Sequence, residues 1–447
     1  MAQLAPGAGM VRGRFDLGEM IQYAVILLLP LTMAVEFRSI GTLYLHDFLS
    51  VLIAAVLLTR KGALHRLQPV VPFLVLLLIG LVGTIISDIY QATPVEDYSR
   101  AWARTAFFGI NTVMIWLLTG GKWRLLGTYL FGVGLALTLH SLTTSDSLIS
   151  SDPLKFGVGI GISLMIAGIS VLPFFERPEV RRAIPVLLLV LALFCLFRNS
   201  RSIFATLFLA LCFAMLVLYV RQYPKMAAKI TPSSFAVLLI MGFVGAQLMS
   251  AAYGWGADSG LFGQAAQAKF RAQTAGDLNF LLAGRTEWLA TVQAIKDSPI
   301  IGHGSFAKDS HYVRMYFIEL QRLGLSYSYD YYVRTYGFGI PQHSFVLGAW
   351  VEGGILAALV WIWGLWLVLR AMFHTLKISP VPVYLVSVTV MFFVWDILFS
   401  PAGAEARVVK AVQICILVAA MPAAKKLRKP KAVAGGAMPR GAARRRG

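Results

Sequence analysis

Charge is what this sequence has least of. Asp, Glu, Lys and Arg make up 14% of the chain, whereas a soluble domain carries about a quarter. That shortage excludes an ordinary water-soluble globule. Acidic residues are the scarcer sign, 21 against 40 Lys and Arg. Cysteine is nearly absent. Cys195, Cys212 and Cys415 each fall inside an apolar run. They read as core fillers, with no disulfide framework and no zinc-type spacing. No His-Glu-x-x-His, no glycine-rich phosphate loop and no internal repeat occurs, so metal catalysis has little support. The first apolar stretch has no small-residue cleavage site and reads as a retained span, not a signal peptide.

What is present is apolar length. Hydrophobic residues make up 58% of the chain, and the mean hydropathy is +0.71. Val70–Ser87, Ala183–Phe197 and Ser344–Leu369, alone or with short extensions, are long enough to cross a hydrocarbon core. Lipid offers a bare backbone amide no partner, so each span must be helical. Twelve candidates follow: Met20–Phe37, Leu43–Thr59, Val70–Ile89, Trp102–Thr119, Leu125–Leu142, Gly157–Phe175, Ala183–Phe197, Ser202–Val220, Ser234–Ala252, Ser344–Met372, Val381–Ser400 and Val408–Met421. The expected fold class is an all-α polytopic membrane protein of about 12 transmembrane helices. A large, partly helical periplasmic loop separates spans 9 and 10. The expected divisions are a cytoplasmic N-terminus at 1–19, spans 1–9 over 20–252 and the loop at 253–342. Spans 10–12 follow over 343–422, and a basic, disordered cytoplasmic tail fills 423–447.

The formal net charge of +19 is placed as membrane topology requires. Arg12/Arg14, Arg60-Lys61 with Arg66, Lys122/Arg124, Arg177/Arg181/Arg182, Arg221/Lys225/Lys229, Arg370/Lys377 and the tail all fall on one side if there are twelve spans. That side is cytoplasmic. Nucleic acid is not needed to explain the basic residues, and the tail suits contact with anionic lipid heads. The loop Tyr253–Gln342 falls on the opposite side. Its pieces Leu261–Thr274, Thr286–Asp297 and Ser310–Leu323 read as helices, and Gly302-His303-Gly304-Ser305 and Tyr336–Pro341 as turns.

Ionisable groups at membrane depth are costly, and each invites a functional reading. Arg198-Asn199-Ser200-Arg201 is the whole connection between spans 7 and 8, with Arg201 opening span 8. Two guanidiniums at a helix N-terminus form a site for a phosphate or diphosphate. The same pair also suits arginine heads reaching lipid phosphates. Arg285, in Gly284-Arg285-Thr286-Glu287-Trp288, either opens a functional helix or pairs with Glu287 on the surface. His343 stands where the loop re-enters the membrane. It is either a general base or an interfacial cap. Glu352, nine residues on, lies about 14 Å deeper and on the opposite face of a straight helix. It is expected to fasten span 10 to a neighbour. His303, His311, His140 and His46-Asp47 are weaker candidates, and Asp396 with Arg407 suggests a structural ion pair. The aromatics Tyr327, Tyr329, Tyr331, Tyr332, Tyr336 and Phe338 crowd the end of the loop. They suit either sugar stacking or an interfacial belt.

The order Ser200-Arg201, Gly284-Arg285-Thr286-Glu287-Trp288, Pro299-Ile300-Ile301-Gly302-His303-Gly304, His343-Ser344 and Glu352-Gly353 resembles the O-antigen ligase and polymerase superfamily. The Arg-to-Trp spacing is one residue shorter than in some members. The resemblance implies a metal-independent, cofactor-free glycosyltransferase of the bacterial inner membrane, with its active site facing the periplasm. The donor it implies is a glycan on undecaprenyl diphosphate, and the acceptor is either lipid A–core or another glycan. It puts Arg201 and Arg285, with Arg198 beside them, on the diphosphate and makes His343 the base. Trp288, His303 and Glu352 are accessory candidates. The competing reading is a multi-span transporter or flippase for a lipid-linked or anionic substrate. It lacks a two-fold pattern of interrupted helices.

Overall fold

The computed structural model describes residues 17–39, 41–144, 147–175, 177–274, 285–325, 327–377 and 381–421. The tail at 423–447, most of the 1–19 segment and Gly284 lie outside the described residues. The chain is mostly helical, and each of the twelve apolar stretches holds a helix. Eight helices among the described residues are long and apolar enough to cross a membrane: Leu17–Ala34, Val71–Tyr90, Val95–Thr119, Trp123–Thr143, Glu179–Phe197, Arg201–Gln222, Pro232–Asp258 and Phe345–Lys377. Leu45–Leu58, Leu154–Ile169 and Val383–Phe399 are apolar but shorter.

The shorter helices have local causes. Leu45–Leu58 is preceded by two antiparallel strands, Glu36–Ser39 and Gly41–Tyr44, which take up the chain before it. Leu154–Ile169 opens in a wider π turn over Leu154–Val158. The last helix, Ala406–Ala419, has 14 residues and buries Arg407, Lys410 and Gln413. Arg407 pairs with Asp47, with Nε 2.9 Å from Oδ1. Lys410 bonds Asp396 and Gln413. The expected Asp396–Arg407 pair is therefore replaced by two others. Arg407 faces the start of Leu45–Leu58, while Lys410, about one turn on, faces Val383–Phe399.

Helix Phe345–Lys377 is broken at Gly353 (φ −123°, ψ 19°) and Gly354 (φ +65°, ψ −165°). A break frees backbone groups that must find partners, and the segment Pro299–Gly304 supplies them. His303 N–H donates to the Val351 carbonyl at 2.7 Å and Gly304 N–H to the Glu352 carbonyl at 3.1 Å. Ile355 N–H donates to the Pro299 carbonyl at 3.2 Å. The segment Pro299–Gly304 is thus a plug seated in a broken helix. The approach is too close for side chains. A Cβ at Gly302 would press on the Val351 and Glu352 carbonyls, and one at Gly354 would land on the Ile300 carbonyl.

The loop is further fastened to the ends of Val71–Tyr90 and Val95–Thr119. The Asp88 carboxylate accepts from Ser305 N–H at 2.7 Å, Ser305 Oγ at 2.8 Å and Trp102 Nε1 at 2.7 Å. Lys308 Nζ lies 2.9 Å from Asp97, and Gln91 Nε2 donates to the Gly302 carbonyl at 2.7 Å. Within the loop, helices Trp288–Asp297 and Ser310–Arg322 share a small apolar core of Ala290, Ala294, Val313, Phe317, Leu320 and Leu325. A further helix, Tyr329–Tyr336, follows. Helix Gln264–Thr274 packs against Pro232–Asp258.

Candidate functional site

Two arginines and one histidine, remote in sequence, come within electrostatic reach of one another in turn, Arg201 of Arg285 and Arg285 of His343, by three local mechanisms. Helix Ala183–Phe197 ends because Asn199 takes a left-handed conformation, φ +61°. Ser200 N–H then reaches the Cys195 carbonyl at 2.8 Å and Asn199 N–H the Leu196 carbonyl at 3.0 Å, a Schellman closure. The chain reverses, and Arg201 begins the next helix. Its guanidinium lies 5.4 Å from the centre of the Tyr253 ring.

Arg285 stands just ahead of helix Trp288–Asp297. Its Nε donates to the Phe399 carbonyl at 2.9 Å, and its guanidinium lies 6.0 Å from the Trp395 ring. Burial pushes the Arg285 pKa down; the Glu287 carboxylate opposes this, and the Arg201 charge adds to it. Arg201 and Arg285 are therefore within electrostatic reach of each other.

His343 precedes the broken helix Phe345–Lys377. Ser344 fixes that start: its hydroxyl donates to the Ile397 carbonyl at 2.7 Å and accepts from Leu347 N–H at 3.2 Å. Thr291 Oγ1 donates to the Pro341 carbonyl at 2.5 Å, which draws helix Trp288–Asp297 against the re-entry segment. Glu287 Oε1 consequently lies 3.4 Å from His343 Nδ1. That is long for a hydrogen bond, but it favours the tautomer with its proton on Nδ1 and leaves Nε2 to accept. The His343 side chain is 37% exposed. Its pKa is lowered, first by burial; Glu287 raises it, Arg285 lowers it, a bond to the Gln342 backbone raises it, and Lys155 lowers it.

Polar atoms without partners among the described residues lie beside both arginines. They are Asn199 Oδ1 and Ser200 Oγ next to Arg201, and Glu287 Oε2 and Trp288 Nε1 next to Arg285. A buried polar atom left unbonded costs about 1–3 kcal/mol. Ser200 Oγ and Trp288 Nε1 have a hydrogen to give an anionic ligand, whereas Asn199 Oδ1 and Glu287 Oε2 only accept and suit a ligand hydroxyl.

Residues 186–362 match the O-antigen ligase family model. The match covers about two fifths of the chain and supports the resemblance to the O-antigen ligase and polymerase superfamily. The matched stretch holds Arg198, Arg201, Arg285, Glu287, His343 and Glu352. It supports glycosyltransferase-type chemistry in O-antigen or polysaccharide assembly by a bacterial integral membrane protein. No curated protein and no solved structure matches the chain.

The remaining candidates have other surroundings. Arg198 is exposed at the end of helix Ala183–Phe197. His303 Nε2 bonds the Ala294 carbonyl at 2.7 Å, inside the plug. Glu352 pairs with Arg104 at 2.7 Å, so it fastens helix Phe345–Lys377 to Val95–Thr119. A cavity of about 190 Å³ lies beyond it, lined among others by Arg104, Phe306, Gln342, Ser344, Glu352 and Trp361. Neither Arg201 nor Arg285 lines it. Among the described residues no group of three or more His, Cys, Asp or Glu is placed to hold a metal ion. Cys195 and Cys415 are buried as expected, while Cys212 is exposed.

The sequence reading gave Glu287 only as a surface partner of Arg285 and did not single out Lys155. Glu287 sits two positions after Arg285, inside a segment already singled out. Lys155 bears on both His343 and Arg285. Its signal was present: it is a lysine two residues ahead of the apolar stretch Gly157–Phe175.

Proposed function

We propose that this protein transfers a glycan from undecaprenyl diphosphate to an acceptor hydroxyl at the periplasmic face of the bacterial inner membrane. The twelve helical stretches then cross with both termini cytoplasmic, and the 253–342 loop carries half of the site outside. The observation that carries the reading is the gathering of Arg201, Arg285 and the His343–Glu287 pair into one electrostatic neighbourhood.

The chemistry follows from the arrangement. A sugar hydroxyl is a poor nucleophile and needs a neutral base beside it. Burial holds the His343 pKa below its ordinary value, so the imidazole is neutral at pH 7. Nε2 takes the acceptor proton as the hydroxyl oxygen bonds to the anomeric carbon. The bond from that carbon to the diphosphate oxygen breaks, and the lipid diphosphate leaves with the electron pair. Negative charge grows on the leaving oxygen, where the Arg201 and Arg285 forks, with Lys155 as a point charge, stabilise it. Glu287 holds the ring and stabilises the imidazolium that forms.

The test is a chromosomal His343→Ala variant. Surface glycan should be lost while protein level and lipid-linked donor persist. Accumulated single repeats on the carrier would identify a polymerase, and accumulated long chains a ligase. Full complementation by His343→Ala would remove the base from the mechanism.

A further inference from the structure

We infer that Tyr327, Tyr332 and Tyr336 form the acceptor subsite, a platform for the apolar face of a pyranose, next to the His343–Glu287 pair. The inference rests on the glycosyltransferase reading above and names the acceptor side of the same site.

Helix Tyr329–Tyr336 is docked by one face only. Tyr329 and Tyr332 pack edge-on against Phe317, with ring centres 5.2 and 5.5 Å away. Leu325 is buried in the loop core just before the helix. From there a line of rings runs outward. The Tyr316 hydroxyl lies 2.8 Å from Thr286 Oγ1, next to Glu287. The Tyr316 ring lies 5.9 Å from Tyr332, and Tyr332 lies 5.0 Å from Tyr336 at an angle of 47°. Tyr336 ends the line at the surface, 55% exposed, and Tyr327, 51% exposed, lies within electrostatic reach of Tyr316 and Glu287. Burial first, and the Glu287 charge second, push the phenols of Tyr327 and Tyr332 above their ordinary pKa. The catalytic carboxylate and this platform are thus neighbours.

The face of an aromatic ring is electron-rich, and the axial C–H face of a pyranose is apolar and slightly positive. Stacking joins them, while phenol hydroxyls at the ring edges bond the sugar's hydroxyls. A membrane belt would use the helix differently. The most exposed ring is Tyr331, 68% exposed, and Asp330 and Arg334 share its open surface. Tyr332 and Tyr336, four residues apart, share one helical face, the face that runs toward Glu287. The platform therefore separates Tyr336 from Tyr331, whereas a belt does not.

The test uses full-length protein in detergent. The probe is water-soluble oligosaccharide released by mild acid from the host's own surface polysaccharide. Saturation-transfer NMR reads binding without turnover, and a transfer assay reads the acceptor KM. Tyr336→Ala and Tyr327→Ala should each weaken oligosaccharide binding and raise the acceptor KM about five- to tenfold, the scale of one lost ring contact. The donor KM should be unchanged, and Tyr331→Ala should behave as wild type. An unchanged acceptor KM in both variants overturns the platform. So does binding of the variants to anionic vesicles that falls equally for Tyr331→Ala and Tyr336→Ala. Binding is measured apart from turnover, so a failure of the His343 mechanism would leave this result readable.

Discussion

Replacing Glu287 with Gln keeps the side chain's size and removes its charge. Its Oε1 lies 3.4 Å from His343 Nδ1. At that distance a unit pair is worth about 1 kcal/mol at the dielectric of water and about 5 at an effective value of 20. Both side chains are partly open to solvent, His343 at 37% and Glu287 at 21%, so the lower part of that range applies, about 1–2 kcal/mol. The His343 pKa is lowered by burial, and Glu287 opposes the lowering. Without Glu287 the pKa falls further, and the imidazole stays neutral to a lower pH. The acid limb of kcat/KM should move down by about one pH unit. The plateau should also fall, about 5- to 30-fold, because the imidazolium formed in the transition state loses its counter-charge. The assay is transfer by purified protein between pH 5 and 8.5, with lipid-diphosphate glycan as donor. An acid limb that moves upward, or stays in place at full rate, would refute the pairing.

His343→Ala should lower kcat by about 10²–10⁴ while donor affinity, read by thermal-shift titration, is kept. Arg201→Lys and Arg285→Lys should each raise the donor KM about tenfold, because a point charge lacks the planar fork; Arg285→Ala should in addition shift the acid limb to higher pH, since Arg285 lowers the His343 pKa. Gly354→Ala should destabilise the protein by more than about 1 kcal/mol, read as a lower melting temperature in detergent, because the residue has φ +65° and the added carbon meets the Ile300 carbonyl.

Much of the helical layout was legible because apolar length is a one-dimensional signal. Lipid removes every alternative to the helix, so a run such as Val71–Tyr90 needs no tertiary information. Helix ends were legible where one residue decides them: Arg201 opens its helix as the Ser-Arg junction suggested. What was hidden depends on contacts between distant segments. A straight helix through Glu352 gave the right partner class for that residue, a neighbouring helix, but not the break at Gly353 and Gly354 that follows it. Nothing in Glu-Gly-Gly alone distinguishes tolerated glycines from a gap that another chain segment fills. Likewise Asp396 and Arg407 are close in sequence, and a local pair was the natural expectation. The real partner of Arg407, Asp47, is hundreds of residues away. Glu287 was visible only as a surface partner of Arg285, since its meeting with His343 depends on Thr291 holding the Pro341 carbonyl.

The plug and the site are one construction. A base must be held to within about half an ångström of its working position, yet His343 sits between a long loop and a membrane helix, where mobility is the ordinary expectation. Three anchors remove that mobility. The plug fixes residues 299–304 to the break in helix Phe345–Lys377 through backbone bonds, whose geometry no side-chain motion can loosen. Asp88 and Asp97 fix residues 305–308 to two further helices. Arg104 holds Glu352 from the side. The helix that presents Glu287, Trp288–Asp297, ends at the plug, and the helix that presents His343 contains the break that receives it. Glu287 and His343 are therefore both referred to the same fixed point. A broken helix, costly when its carbonyls face lipid, becomes here the socket that fixes residues 299–304 to the helix that His343 precedes.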